Sequence, residues 1–202
     1  MFITGIGTDV GKTVVSAIVT KATGYTYWKP VQAGDLHNTD SMKIKQWVDE
    51  ATVLPEAYKL TQPMSPHAAA AIDNITIEAK WLISAYNSHQ KEYKNLVVEG
   101  AGGLMVPINN QYLVIDLIAD VKEPVILVSS NYLGSINHTM LSIDALKHRK
   151  IPVLGIVFNG PANEASERFI LEYSGLKCLL RVPQVNIVDK DFISASALQF
   201  TI

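Results

Sequence analysis

Residues 1–15 read MFITGIGTDVGKTVV, an apolar run that passes through glycines into Gly11-Lys12-Thr13. The ending is that of a phosphate-binding loop, but the spacing is unusual. The common pattern has four residues between its first glycine and the Gly-Lys-Thr. Here Gly5 is followed by five, Ile6 to Val10, and a four-residue spacer would need glycine where Ile6 stands. Glycines let a backbone curl so that successive N–H groups face inward, and the helix that follows offers its positive end to phosphate. Lys12 would then neutralise β/γ-phosphate charge and Thr13 would offer its hydroxyl to Mg²⁺. The alternative is a glycine-rich strand-to-helix turn with no ligand. The apolar run before the loop and the helical pattern after it favour a phosphate site with a variant loop.

Further along, short apolar runs alternate with longer amphipathic stretches. The runs TYWKPVQAG, NLVVEGAGG, PVILVSSN and PVLGIVFNG have strand composition, like MFITG at the start. KTVVSAIVTKAT, TDSMKIKQWVDEAT, TIEAKWLISAYNSHQKEY and NHTMLSIDALKHRK read as helices. Asn38-Thr39-Asp40 stands where a helix cap is expected, and Ala79, Leu82, Ile83 and Tyr86 share one face. Strands apolar throughout and separated by helices indicate an α/β fold, a mostly parallel sheet covered on both faces. The chain of 202 residues shows no repeat or linker and reads as one domain over 1–202.

In such sheets ligands bind beyond the carboxyl ends of the strands, so the residues closing each run carry the chemistry. Lys29 and Gly34 close the second run, Glu99-Gly100 the third, Ser129, Ser130 and Asn131 follow the fourth, and Asn159-Gly160 the fifth. A lysine at the end of a buried strand calls for an anionic partner, although it can also snorkel to the rim. Asp40 can serve simply as a helix cap. Glu99 ends a valine-rich strand and runs into glycines, the place of an acidic Mg²⁺ partner in phosphoryl-transfer proteins, with a surface carboxylate as the alternative.

The remaining features exclude more than they assign. The net charge of −2 comes without a basic block, so neither nucleic acid nor an anionic membrane is an expected partner. Cys178, the single cysteine, lies in the apolar run LKCLLRVP and is expected to be a buried small hydrophobe in a reducing, cytoplasmic setting. No run is long enough to span a bilayer, and the start has no secretory leader pattern. His67 and His138 lack the spacing of metal ligands and are expected to cap or hydrogen-bond near helix starts.

The ordered set TGIGTDVGKT, KPVQAG, NTDS, PMSPHAAA, VEGAGG, LGSINHTML and VFNG resembles dethiobiotin synthetases. The likeness runs over nearly the whole chain, weakening after about residue 165. That family's loop also carries the additional residue. The resemblance implies a single-domain P-loop fold, a homodimer, and Mg²⁺- and ATP-dependent joining of CO₂ to 7,8-diaminononanoate. An amine takes up CO₂ as a carbamate, a carbamate oxygen attacks the γ-phosphate, and the second amine closes the ureido ring and expels phosphate. By the same resemblance Lys12, Lys29 and Thr8 are catalytic, and Thr13, Asp40 and Glu99 bind Mg²⁺. Asp9, Val10, Gly11, Lys12, Thr13 and Val14 hold the nucleotide phosphates, with Asn159 and Pro183 at the adenine. Lys29, Ala33, Gly102 and the segment Gly134, Ser135, Ile136 and Asn137 meet the diamine, that segment receiving its carboxylate tail across the dimer.

Two departures stand out. Ala33 replaces a hydroxyl residue that many relatives have before the glycine of KPV..G, and the tail after RVPQVN is short. Asp9 also stands where glutamate is commoner. Two other readings share part of the pattern. One is a related synthetase that activates a carboxylate, but such proteins usually carry a glutaminase domain for which this chain has no room. The other is a partition or septum-site ATPase switch, whose signature lysine early in the loop is missing from Ile6-Gly7-Thr8-Asp9.

Overall fold

The computed structural model describes residues 1–202. Its main sheet has six strands, all parallel, and the first lies in the middle: β1 (Phe2–Gly5) pairs on one side with β5 (Leu96–Gly103) and on the other with β8 (Val125–Ser130). Beyond β5 lies the edge strand β2 (Thr26–Trp28), and beyond β8 lie β9 (Val153–Asn159) and the other edge, β10 (Cys178–Val182). The chain leaves β1 toward β2, returns through β5, and then crosses to β8. This reversal around β1 opens a crevice at the carboxyl end of the sheet, where α/β folds bind ligands.

Alternation along each strand builds two cores. Phe2, Trp28, Val98, Leu127 and Phe158 face one side, where α4 (Ala79–Glu92), α5 (Val114–Val121), α6 (Ser135–His148) and α7 (Glu164–Ser174) contribute Leu82, Ile115, Ile143 and Ile170. Ile3, Tyr27, Val97, Ile126 and Val157 face the other, against α1 (Lys12–Thr23), α2 (Asp40–Trp47) and α8 (Lys190–Ala197). Burial on both faces is why the strands read as continuous apolar runs.

The second run is two strands rather than one. β2 stops at Trp28, and after Lys29-Pro30 the chain forms β3 (Val31–Ala33), which pairs with β4 (Tyr58–Leu60) in a separate two-stranded sheet. Pro30 has no N–H to donate to a ladder, while its carbonyl accepts from the backbone of Ala57 and Tyr58. Glu99 likewise lies inside its strand, opposite Ile3, not at its end. The glycines let β5 run on to Gly103, with a slip in register between Ile3 and Gly5.

Other elements were not expected from the pattern. β10 covers the apolar run that contains Cys178, which is half-buried at the strand's start. α3 (Pro66–Ile72), α5, α7 and α8 also appear, together with a hairpin of β6 (Pro107–Asn109) and β7 (Tyr112–Leu113). In α5 the two acids, Asp116 and Asp120, stand four apart on one stripe of an otherwise apolar run, a helical pattern that went unread in so short a segment; half of α8 is small residues.

Candidate functional site

The glycine-rich stretch leaves β1, turns over the end of the sheet and enters α1 with Gly11 in the left-handed region, at φ 91°. A side chain at Gly11 would be impossible for a second reason. Its Cβ would lie 2.2 Å from Nδ2 of Asn159, which itself donates to the Val10 carbonyl at 3.1 Å. The end of β9 thus braces the loop. Asp9 also has positive φ, at 58°, a conformation that aspartate tolerates better than most residues.

A cleft of about 710 Å³ opens beside this loop. Its wall brings together Thr8, Asp9, Gly11, Lys12, Thr13, Val14, Lys29, Ala33, Asp40, Glu99 and Gly102. Residues from both ends of a stretch of more than ninety thus meet at the place predicted by the strand order. Val10 is buried beneath the loop.

Charge in the cleft is tightly organised. Glu99 is 1% exposed, and its Oε1 accepts from the Thr13 hydroxyl and from Lys29 Nζ, each at 3.0 Å. Its Oε2 accepts from the buried Tyr27 hydroxyl at 2.9 Å. Lys29 also pairs with Asp40, so one ammonium bridges two carboxylates. Burial by itself would lower the Lys29 pKa, but Glu99 and Asp40 outweigh it and hold the group above its ordinary value. Burial would raise Asp40, and Lys29 overrides that and keeps the carboxyl below its usual range. Burial beside Glu99 pushes the Tyr27 hydroxyl well up, so it remains a donor.

Lys12 has the opposite fate. It curls back to donate to the Gly7 carbonyl at 2.8 Å, with no carboxylate in contact. Burial lowers its pKa to about 8, only partly countered by Glu99. An ammonium held in this way gains most from an arriving anion.

Asp40 opens α2, whose cap is Thr39: its hydroxyl accepts from the Met42 N–H at 3.2 Å. Asp40 therefore is not the cap and is free to face Lys29. Buried Gln32 sets this turn, since its Oε1 accepts from the Asp40 N–H at 3.2 Å and its Nε2 donates to the Gly34 carbonyl at 2.9 Å. Gly34, at φ 73°, packs so closely on Pro63 that a Cβ would come within 2.6 Å. The sequence reading missed Tyr27, Gln32 and the cleft-lining Lys43 and Trp47. Only the polar residue between the apolar neighbours of β3 hinted at Gln32.

Thr13, Asp40 and Glu99 form an all-oxygen donor set gathered around a bridging ammonium. This is the chemistry that a hard divalent cation accepts. No group of three or more His, Cys, Asp and Glu side chains forms a metal centre by itself, so an ion held here would also draw on phosphate oxygens and water.

Other expected residues lie elsewhere. Pro183 lines a second cavity of about 490 Å³ with Phe158 and Gly160, the neighbours of Asn159. Gly134, Ser135, Ile136 and Asn137 form the start of α6 and line neither cavity. His138 Nδ1 meets the Tyr132 hydroxyl at 2.8 Å as expected of a hydrogen-bonding residue. His67 departs from that expectation, because its buried Nδ1 finds no partner.

The sequence comparisons agree with this geometry. The chain is 48% identical over 200 residues to the ATP-dependent dethiobiotin synthetase BioD of Cytophaga hutchinsonii, covering 98% of this chain and 95% of that one. The chain belongs to the dethiobiotin synthetase family. A second synthetase of this name, from Christiangramia forsetii, is 47% identical, covering 98% and 94% of the two chains. A family model described as an AAA domain matches residues 1–191. Among solved structures the chain resembles the cell division ATPase MinD of Pyrococcus furiosus, with TM-score 0.61 and 14% identity over 98% of this chain and 97% of that one. A ParA family ATPase from Chlorobium tepidum gives TM-score 0.58 at 14% identity, covering 98% and 89%. At these identities the likeness is one of fold. No helix is long and apolar enough to cross a membrane.

Proposed function

We propose that the cleft beside the loop joins CO₂ to 7,8-diaminononanoate with ATP, closing the ureido ring of dethiobiotin and releasing ADP and phosphate. The observation that carries this reading is the convergence of Lys12, Thr13, Lys29, Asp40 and Glu99 on one cleft at the switch point. Family membership supports it.

The backbone from Asp9 to Val14 receives the phosphates, with the N-terminus of α1 adding its positive end. Lys12 exchanges the Gly7 carbonyl for phosphoryl oxygens and regains a full charge as it does so. Lys29, between β2 and β3, takes the carbamate and the transferring phosphoryl group. Its charge is retained across the working pH range because two carboxylates support it. Thr8 and Gly102 border the same space, and Ala33 offers only its backbone where a hydroxyl would stand. Thr13, Asp40 and Glu99 would hold Mg²⁺, which supplies neutralisation of β/γ-phosphate charge. Positioning and electrostatic stabilisation do most of the catalytic work, as phosphoryl transfer requires.

Asn159 and Pro183 receive adenine at the far end of the loop. The diamine's carboxylate tail meets Gly134, Ser135, Ile136 and Asn137 of a second protomer. Supporting this, α6 starts at Gly134 without a side-chain cap, and the adjoining Leu133 is fully exposed. That assignment calls for a homodimer, as the family resemblance implies, and the single cysteine suits a reducing, cytoplasmic setting.

The test supplies purified protein with MgATP, bicarbonate and the diamine and follows phosphate and product mass together. The expected result is diamine-dependent phosphate release, with a product heavier by one carbonyl less two hydrogens. Phosphate release indifferent to the diamine would overturn the acceptor assignment.

A further inference from the structure

The mechanism leaves unused a carboxylate buried as deeply as Glu99. Glu167, on α7, is 2% exposed. Its Oε1 accepts from Asn131 Nδ2 at 2.8 Å and from the Asn163 N–H at 3.2 Å, and its Oε2 accepts from Arg181 Nε at 2.5 Å. Asn131 also donates to the Pro161 carbonyl at 2.9 Å. One side chain therefore ties together the segments that follow β8 and β9 and the strand β10. A carboxylate is not held this far from water without compensation, and here three segments of the chain supply it at the back of one cavity.

That cavity is the one of about 490 Å³, walled by Phe158, Gly160, Pro161, Glu167, Arg181 and Pro183. It begins where the phosphate loop ends, because Asn159, between Phe158 and Gly160, rests on the loop backbone. Arg181 is fixed there by its Nε alone. Its guanidinium carbon stands 5.9 Å from the Phe158 ring centre, and its two terminal nitrogens make no hydrogen bond. A planar fork with unspent donors, held in place at the edge of a cavity lined by Phe158 and Pro183, is suited to an aromatic heterocycle: its face can stack and its donors meet ring-nitrogen or carbonyl acceptors.

We propose that Arg181 recognises the nucleobase of the triphosphate and that Glu167 is the positioning residue that holds its guanidinium in the cavity. The proposal rests on the ATP-dependent reading of the site, but it concerns binding and is testable apart from turnover. A purine entering beside Phe158 would meet the unspent donors of the fork, which add affinity on the base side only.

Calorimetric titration with ADP and with tripolyphosphate, which lacks the base, separates the two. Arg181→Gln, at a half-exposed position, should weaken ADP about tenfold, the loss expected for one such contact, and leave tripolyphosphate unchanged. Arg181→Lys keeps the charge without the fork and should not restore ADP affinity. Glu167→Gln should also weaken ADP selectively, with KM for ATP raised and kcat retained. Unchanged ADP affinity in Arg181→Gln, or an equal loss for ADP and tripolyphosphate, would overturn the proposal. A wild-type protein with no diamine-dependent turnover but a base-selective loss in Arg181→Gln would instead sink the reaction assignment and leave this one standing.

Discussion

Around the ends of β1, β2 and β5, two buried lysines, a buried carboxylate and the partly buried Asp40 share one cleft, whereas beside β9 and β10 a single buried carboxylate, Glu167, holds a cation that stays half in solvent. In the first region removing Lys29 takes the one cation paired with Glu99, which keeps only neutral hydroxyl donors, and leaves Asp40 to the more distant Lys43. In the second, Arg181 can leave while Glu167 keeps Asn131 and the Asn163 N–H. The first arrangement joins stability to chemistry; the second lets binding vary with little effect on the fold. Within the cleft the two lysines differ in the same way, because Lys29 is supported by carboxylates and Lys12 is held by burial against a single carbonyl.

The largest effect should come from the lysines. Lys12→Met and Lys29→Met should each lower diamine-dependent turnover by about 10³-fold or more, the scale of losing a transition-state charge partner. Their stabilities should diverge. Lys29→Met leaves the buried Glu99 without its cation and should cost about 3–5 kcal/mol in urea unfolding. Lys12→Met should be neutral or stabilising, and equal losses in the two variants would dissolve the contrast.

The pH dependence sharpens it. Lys12 has a folded pKa of about 8 against 10.5 for the ordinary side chain. Between those values the unfolded chain binds more protons, so the wild type gains stability as pH rises through this window. Its stability gap to Lys12→Met should therefore narrow from pH 8 to 10, whereas a constant gap would mean that Lys12 titrates normally. A smaller change is expected at Tyr27. Tyr27→Phe leaves Glu99 Oε2 without a donor and should cost about 1–3 kcal/mol, with a several-fold higher Mg²⁺ requirement for turnover. The smallest is Ala33→Ser, which should fold as the wild type does and change kcat by less than about twofold, within the scatter of uncritical substitutions. Misfolding there would show that the wall around β3 has no room for a hydroxyl.

The parts of the site legible in the sequence are those whose oddity is local. Gly-Lys-Thr after a strand, a lysine at a strand's end and an acid running into glycines each violate the expectations of a plain core. Tyr27 and Glu167 do not, because an aromatic in a strand and a glutamate in a helix are ordinary until their partners are known. The partner of Tyr27 lies 72 residues away. The sheet was legible through its central strands, but the break at Pro30 was not, since β3 keeps the apolar character of the strand it departs from. β10 was missed because its run is short and is interrupted by an exposed arginine.

Asn159 lies against Gly11 at a distance that allows no side chain between them. The phosphate loop is therefore not a portable cassette. Grafted onto another sheet without an amide at the end of the corresponding strand, it would lose the post that supports its last turn. The five-residue spacer and the far strand work together, as one joint.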